Sequence, residues 1–242
     1  TKQSQGRSAS QKASQSTDTQ KSAVVAVPDV NLRAAINRTL ARTTHKQRQA
    51  DQSITAADMN ALTGLDLNLP KDAPDNKKVA DLTGLEAAHR LDWLSADNNK
   101  LTTLQPIAGL TQLTSLTAFG NTIQSLDPIT ELTKLKLIRI SGNPIRSTKP
   151  LAKLSQLRYL SLSGGDTLAA IDIADITASA STLKTLSVYD YSHKTTLAHT
   201  DVLQRFTALK RLRLSGIRLT GSDKEVIRSV QPRLQSLDTR YN

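Results

Sequence analysis

No cysteine occurs among the 242 residues, which excludes a disulfide framework, thiolate nucleophiles and Cys-ligated zinc. Aromatics are almost as scarce: one Trp, four Tyr and two Phe. Any core must therefore be aliphatic, built mainly from Leu and Ile. No apolar run is long enough to span a bilayer as a helix. Signature enzyme motifs are missing too, with no G-x-S-x-G, P-loop, H-E-x-x-H or G-x-G-x-x-G. The glycines of SGNPIR and LSGGD read as turn signals, not phosphate cradles.

Negative charge is the scarcer sign. Against 32 Lys and Arg stand 21 Asp and Glu, a formal net charge of +11. Such a balance favours acidic partners: anionic glycans, cell-wall polymers, acidic protein surfaces or nucleic acid. The chain opens TKQSQG without Met, so its start reads as processed, and the lack of a signal peptide says nothing about export. A cysteine-free chain suits an exported bacterial protein.

Repetition is what the sequence has in abundance. Residues 1–23 are Ser, Gln, Thr and Lys with almost nothing to bury, and are expected to form a disordered tail. At 27–42 the pattern changes: Pro28 and Asp29 stand at a helix start, and Leu32, Ala35, Ile36 and Leu40 recur at helical spacing. A second short helix is expected near Ala56–Leu62, with Thr55 as its N-cap. Residues 24–61 thus read as a helical cap over the apolar end of a repeat array. From residue 62 to 242 the chain fits LxxLxLxxN, the leucine-rich repeat core. Regular copies start at Leu91, Leu113 and Leu135, each 22 residues long. Longer ones start at Leu157, Leu183 and Leu209, and an incomplete one starts at Leu234 and stops at Asn242. Seven to eight repeats predict an α/β solenoid: a curved parallel β-sheet on the concave side, 3₁₀ or short helical segments on the convex side. Asn99, Asn121 and Asn143 fall where the chain leaves each strand, and their amides are expected to satisfy backbone groups there. The longer copies have room for true convex helices. SDKEVIRSV (222–230) carries a Ser222-to-Glu225 capping-box signal.

The segments VPDVNLRAAINRTL, ITAADMNALTGLDL and VADLTGLEAAHRLDWLSADNNKLTTLQPIAGLTQL resemble internalin-type bacterial leucine-rich repeat surface proteins. The resemblance covers residues 27–156 well and the remainder loosely. It implies a secreted or wall-attached protein of a Gram-positive bacterium that binds a partner on its concave face. Three departures limit it. Gly165, Tyr191 and Ile217 replace the asparagine in later copies, the copies lengthen, and neither an immunoglobulin-like domain nor an LPxTG motif follows.

Within each strand the third, fifth and seventh positions are expected to face solvent on the concave side. Four of the seven aromatics (Trp93, Phe119, Tyr159 and Tyr189) fall there and are candidate binding anchors; mutual stacking that stabilises the sheet is the alternative. Charge is segregated as well, with Asp66, Asp92 and Asp97 at one end of the face. Lys136, Arg139, Arg158, Lys184, Lys210, Arg211 and Arg213 follow in the middle and at the other end. In this reading the aromatics anchor, and basic residues led by Arg139, Arg211 and Arg213 steer an acidic protein or glycan. The segment YDYSHKTTLAHTD invites a metal reading through Asp190, His193, His199 and Asp201. The spacing of its histidines and its path off the strand argue instead for a structural role. Asn37 heads an N-R-T sequon that a bacterial origin would leave idle.

No cofactor, metal or catalytic residue is expected, and no nucleic-acid partner. The function expected is a non-catalytic, adhesin-like surface or secreted module binding a host or environmental protein or glycan. The alternatives are a structural wall-associated spacer clinging to anionic cell-wall polymers, and an intracellular adaptor.

Overall fold

The computed structural model describes residues 23–240. The polar tail expected at 1–23 lies outside the described residues except for Ala23, as does Asn242 at the end of the last repeat. The strands are β1 Val24–Val25, β2 Ile54–Thr55, β3 Gly64–Asp66, β4 Trp93–Ser95, β5 Ser115–Thr117 and β6 Leu137–Arg139. They continue as β7 Tyr159–Ser163, β8 Ala170–Asp172, β9 Thr185–Tyr189, β10 Thr196–Ala198, β11 Arg211–Ser215 and β12 Ser236–Asp238. The helices are α1 Val30–Thr44, α2 Ala56–Ala61 and α3 Gly221–Val230.

Local chemistry starts the two N-terminal helices where the sequence predicts. Asp29 caps α1, one carboxylate oxygen accepting from the backbone N–H groups of Asn31 and Leu32. Its other oxygen accepts from Ala80 N and Asp81 N, tying α1 to the segment that precedes the first regular repeat. Thr55 and Asp58 form a reciprocal capping box at α2. Leu32, Ile36 and Leu40 of α1 and Met59 of α2 are fully buried and continue the core of Leu62 and Leu65. Asn37, the sequon residue, is buried as well. Its amide donates to the carbonyls of Ala50 and Gln52, and its oxygen accepts from Arg48, which also makes a bidentate pair with Asp58.

The repeats lay down one parallel eight-stranded sheet, ordered β3-β4-β5-β6-β7-β9-β11-β12. The register is constant: Gly64, Trp93, Ser115, Leu137, Tyr159, Thr185, Arg211 and Ser236 form one row across all eight strands. At about 4.8 Å per strand the sheet runs roughly 34 Å. The repeat leucines point inward and are buried, and burying each stabilises by about 1.5–3 kcal/mol relative to exposure.

An asparagine ladder stitches the strand exits together. Asn121 Oδ1 accepts from Leu101 N at 2.9 Å, and its Nδ2 donates to Ala96 O at 2.8 Å and Ala118 O at 3.1 Å. Asn99 and Asn143 repeat the pattern one rung to either side. Each amide thus satisfies groups of the preceding copy as well as its own, where a turn inside the core would otherwise orphan them. Where the asparagine is lost, Thr195 supplies part of the same bridging, since its hydroxyl accepts from Gly165 N and donates to Leu168 O.

The convex side differs from expectation in two respects. The 22-residue copies carry 3₁₀ segments at Gln105–Ile107, Asp127–Ile129 and Lys149–Lys153. Two of the longer copies add no α-helix. They keep 3₁₀ segments at Ile173–Ser179 and Thr200–Arg205, and their extra residues form a second parallel ladder, β8 with β10. Among the described residues only α3 is a true helix on that side, and its cap is Thr220 with Asp223, two residues before the expected Ser222 and Glu225. Asp223 wins because its carboxylate also accepts from the Thr200 hydroxyl, and a burial site satisfied on both sides fixes the helix start there.

Candidate binding site on the concave face

Strand alternation delivers the candidate side chains. Core leucines take one face of each strand, so the intervening residues stand on the other, one set per rung. At the strand exits the row reads Asp97, Phe119, Ser141, Ser163, Tyr189. Two large rings thus flank two small residues. The result is a hollow of about 940 Å³. Ser141, Ser161 and Ser163 line it between Phe119 with Arg139 on one side and Tyr189 with Arg213 on the other; Tyr159, Tyr191 and the turn Gly164–Thr167 complete it.

The serine floor is already organised. The hydroxyls of Ser141 and Ser161 lie 2.7 Å apart, and Ser163 Oγ accepts from Gly142 N. These serines are buried, as is Ser187, whose hydroxyl has no hydrogen-bond partner. The fifth and seventh positions therefore do not all face open solvent as expected. In the middle of the curved sheet, small residues are overshadowed by the aromatic and arginine side chains on neighbouring rungs.

Of the seven residues singled out by sequence, five line this hollow: Phe119, Arg139, Tyr159, Tyr189 and Arg213. The three aromatics among them are half-buried. Trp93 stands apart. Its indole lies across Gly64 on the adjacent strand, so close that a Cβ there would meet the ring at 2.1 Å, and the side of the ring away from the glycine leaves Trp93 41% exposed. Arg211 is exposed on β11 and does not line the hollow.

Electrostatics sort the charged groups further. Arg139 is not a free cation: its guanidinium donates to Asp97 at 2.7 Å and lies 4.7 Å from the centroid of the Phe119 ring. Asp97, expected on the open face, is buried, holding Phe119 N with its other oxygen. The two residues brace the Phe119 wall, with a cation–π contact worth about 0.5–1 kcal/mol. Asp166 pairs with Lys194. Asp190 is buried beneath the rim, where its carboxylate accepts from the Ser192 N–H and hydroxyl and from the N–H groups of Lys194 and Thr195. Burial alone would push that carboxyl up, but these donors outweigh it and hold it well below the ordinary carboxylate range. On β12, Arg240 donates to Asp238 and brings its pKa down to about 2. Arg213 has no ion-pair partner within 4 Å among the described residues; its charge acts on Asp238, its register partner on β12, and it lines the hollow opposite Arg139.

Two contributors escaped the sequence reading. Tyr191 was visible only as an occupant of the lost asparagine position, and it is 90% exposed at the rim. The LSGGD turn, read as mere punctuation, supplies Gly164, Gly165 and Asp166 to the wall. The other histidine-bearing positions do not converge. His193 and His199 both sit at positive φ in turns, His199 Nδ1 lies 2.9 Å from Asp172, and that carboxylate raises the His199 pKa. Among the described residues no group of three His, Asp or Glu side chains is placed to hold a metal ion, and no helix is long and apolar enough to cross a membrane.

Neither a protein-family model nor a curated protein sequence matches the chain. Solved structures do. Internalin C2 of Listeria monocytogenes superposes with a TM-score of 0.60 at 19% identity, covering 89% of this chain and 92% of that one. The functional domain of InlJ, also from Listeria monocytogenes, gives 0.62 at 25% identity over 88% of this chain and 41% of that one. A leucine-rich repeat protein of Leptospira interrogans gives 0.51 at 25% identity over 72% of this chain and 46% of that one. The InlJ domain includes a cysteine ladder, whereas this cysteine-free chain has asparagines at its strand exits. The fold is that of an internalin-type leucine-rich repeat protein.

Proposed function

We propose that this internalin-type leucine-rich repeat chain is a non-catalytic binding module, secreted or held at the surface of a Gram-positive bacterium. Its partner is an acidic protein or glycan, taken on the concave face. The observation that carries the reading is the aromatic-walled hollow, in which Phe119, Tyr159, Tyr189 and Tyr191 surround buried serine hydroxyls beside the unpaired Arg213. Half-exposed tyrosines held by a rigid sheet present large contact area at little entropic cost, which is the profile of an interface anchor. Adhesion is the role that such a surface serves on an exported protein.

The test is binding of the whole chain to a panel of host-cell surface proteins and glycans, at low and raised salt. Tyr159→Ala with Tyr189→Ala is expected to weaken specific binding by about 30-fold or more, the scale of an interface hot spot. Trp93→Ala, outside the hollow, should change it less. Loss of binding with salt alone, and indifference to the tyrosine changes, would favour the second reading: a wall-associated spacer clinging to anionic polymers through its +11 charge.

A further inference from the structure

The opposite lip of the same sheet carries a different chemistry. Each strand is preceded by one residue whose backbone hydrogen-bonds to its counterpart in the next copy. Arg158 N donates to Lys136 O at 2.7 Å, Lys184 N to Arg158 O at 2.9 Å, and Lys210 N to Lys184 O at 2.9 Å. Four cations thus stand on four consecutive rungs, about 4.8 Å apart along the backbone, in one row that follows the sheet. All four are exposed, and their side chains have no hydrogen-bond or ion-pair partner among the described residues. The rungs on either side are neutral: Thr114 before and Gln235 after. Asp92, one rung further, is engaged by the Thr114 hydroxyl at 2.8 Å. Nothing among the described residues answers this row of like charge, whose mutual repulsion within a Debye length is a standing cost.

We infer that Lys136, Arg158, Lys184 and Lys210 form a rail for a linear acidic polysaccharide laid across the strands, with one carboxylate or sulfate meeting each rung or every second rung. The assignment rests on the binding role proposed for the concave face and names one class of ligand for it. Spacing separates the candidates. Carboxylates on one side of an extended acidic peptide recur about every 6.6 Å, out of step with rungs about 4.8 Å apart. Single-stranded nucleic acid is gripped by aromatic platforms alongside the cations. The rail itself contains no aromatic; beside it stands a single ring, Tyr159 next to Arg158, not a series of platforms, and the rings of Phe119 and Tyr189 lie at the far lip, roughly 16 Å away along the strands. A linear polymer of acidic sugars advances by about one ring per rung and offers an anion on every ring or every second ring. Arg211 on the neighbouring row extends the positive strip inward.

The experiment measures binding of the full chain to polygalacturonate, which carries carboxylates alone, and to heparin, which carries sulfates as well as carboxylates, across a salt series. The K136Q/R158Q/K184Q/K210Q variant is compared with K46Q/K71Q/K77Q/K224Q, which removes four exposed lysines elsewhere and leaves the same net charge. The rail variant should bind at least about tenfold more weakly with a flatter salt dependence, while the control stays near wild type. Equal loss in both variants would overturn the rail in favour of diffuse charge. Polyglutamate or oligothymidylate binding as tightly, with the same rail dependence, would overturn the polysaccharide class. Absence of any polymer binding would overturn the inference too. The tyrosine variants keep the two ideas apart, since partner binding that depends on Tyr159 and Tyr189 but not on the rail leaves the binding role standing and removes the rail.

Discussion

Replacing Asn121 by Ala removes the middle rung of the ladder. The residue is 5% exposed, and four hydrogen bonds of 2.8–3.3 Å go with its side chain. Leu101 N and Ala96 O lose the amide, and Leu101 is itself buried, so water cannot replace the partner. Each orphaned buried group costs about 1–3 kcal/mol, giving roughly 2–6 kcal/mol for the two. Against a domain stability of about 5–15 kcal/mol, this is a large fraction. Urea denaturation followed by far-UV circular dichroism should show the midpoint falling with little change in slope. Asn121→Thr should recover part of the loss, because Thr195 performs a related bridge between Gly165 N and Leu168 O. A loss under about 0.5 kcal/mol for the alanine variant would refute the ladder as a stabilising element and leave the leucines as sole support.

Three further outcomes follow from the geometry. Asp190 has a depressed folded pKa, so its stabilisation is present above the unfolded value near 3.8 and is lost as pH falls toward the folded value; acid titration of stability should show a drop below about pH 5 that Asp190→Asn shrinks. His199 has a raised pKa through Asp172, so its contribution is full below about pH 6.5 and fades as pH rises through the folded value; NMR titration should place this imidazole above the ordinary histidine range, and Asp172→Asn should bring it back. Gly64→Ala drives a methyl into the indole of Trp93, the chain's single tryptophan, so the fluorescence emission should shift, with the ring displaced and the chain folded.

The period of the leucines made the solenoid, the strand positions and the asparagine ladder legible from sequence, because each is set by spacing along one copy. What spacing cannot reveal is how a side chain on one rung uses its neighbours on others. Asp97 looked like an open acid and Arg139 like a free base; the two meet across 42 positions of sequence and commit their charges to each other and to Phe119. Likewise the extra residues of the longer copies carry no helical period, and they pair with each other as β8 and β10. The hollow itself was half legible. Its rings fell on the predicted face, but its serine floor is buried among larger side chains on neighbouring rungs, and the turn at Gly164–Thr167 contributes to its wall.

The ladder's asparagines share one further property, which bears on how such a chain changes length. Asn121 reaches back to Ala96 and Asn143 reaches back to Ala118 through the same bond at the same 2.8 Å. Excising residues 113–134 would join Gln112 to Leu135 and offer Asn143 the very partners Asn121 had held. The seam would heal without a new kind of contact. The cost would fall elsewhere: Phe119 leaves with the excised copy, while the rail on the other lip keeps all four of its cations. Unequal recombination within this gene would thus strip the ring from one lip of the concave face, and on the other would keep the cations while removing Thr114 and bringing Asp92 beside Lys136.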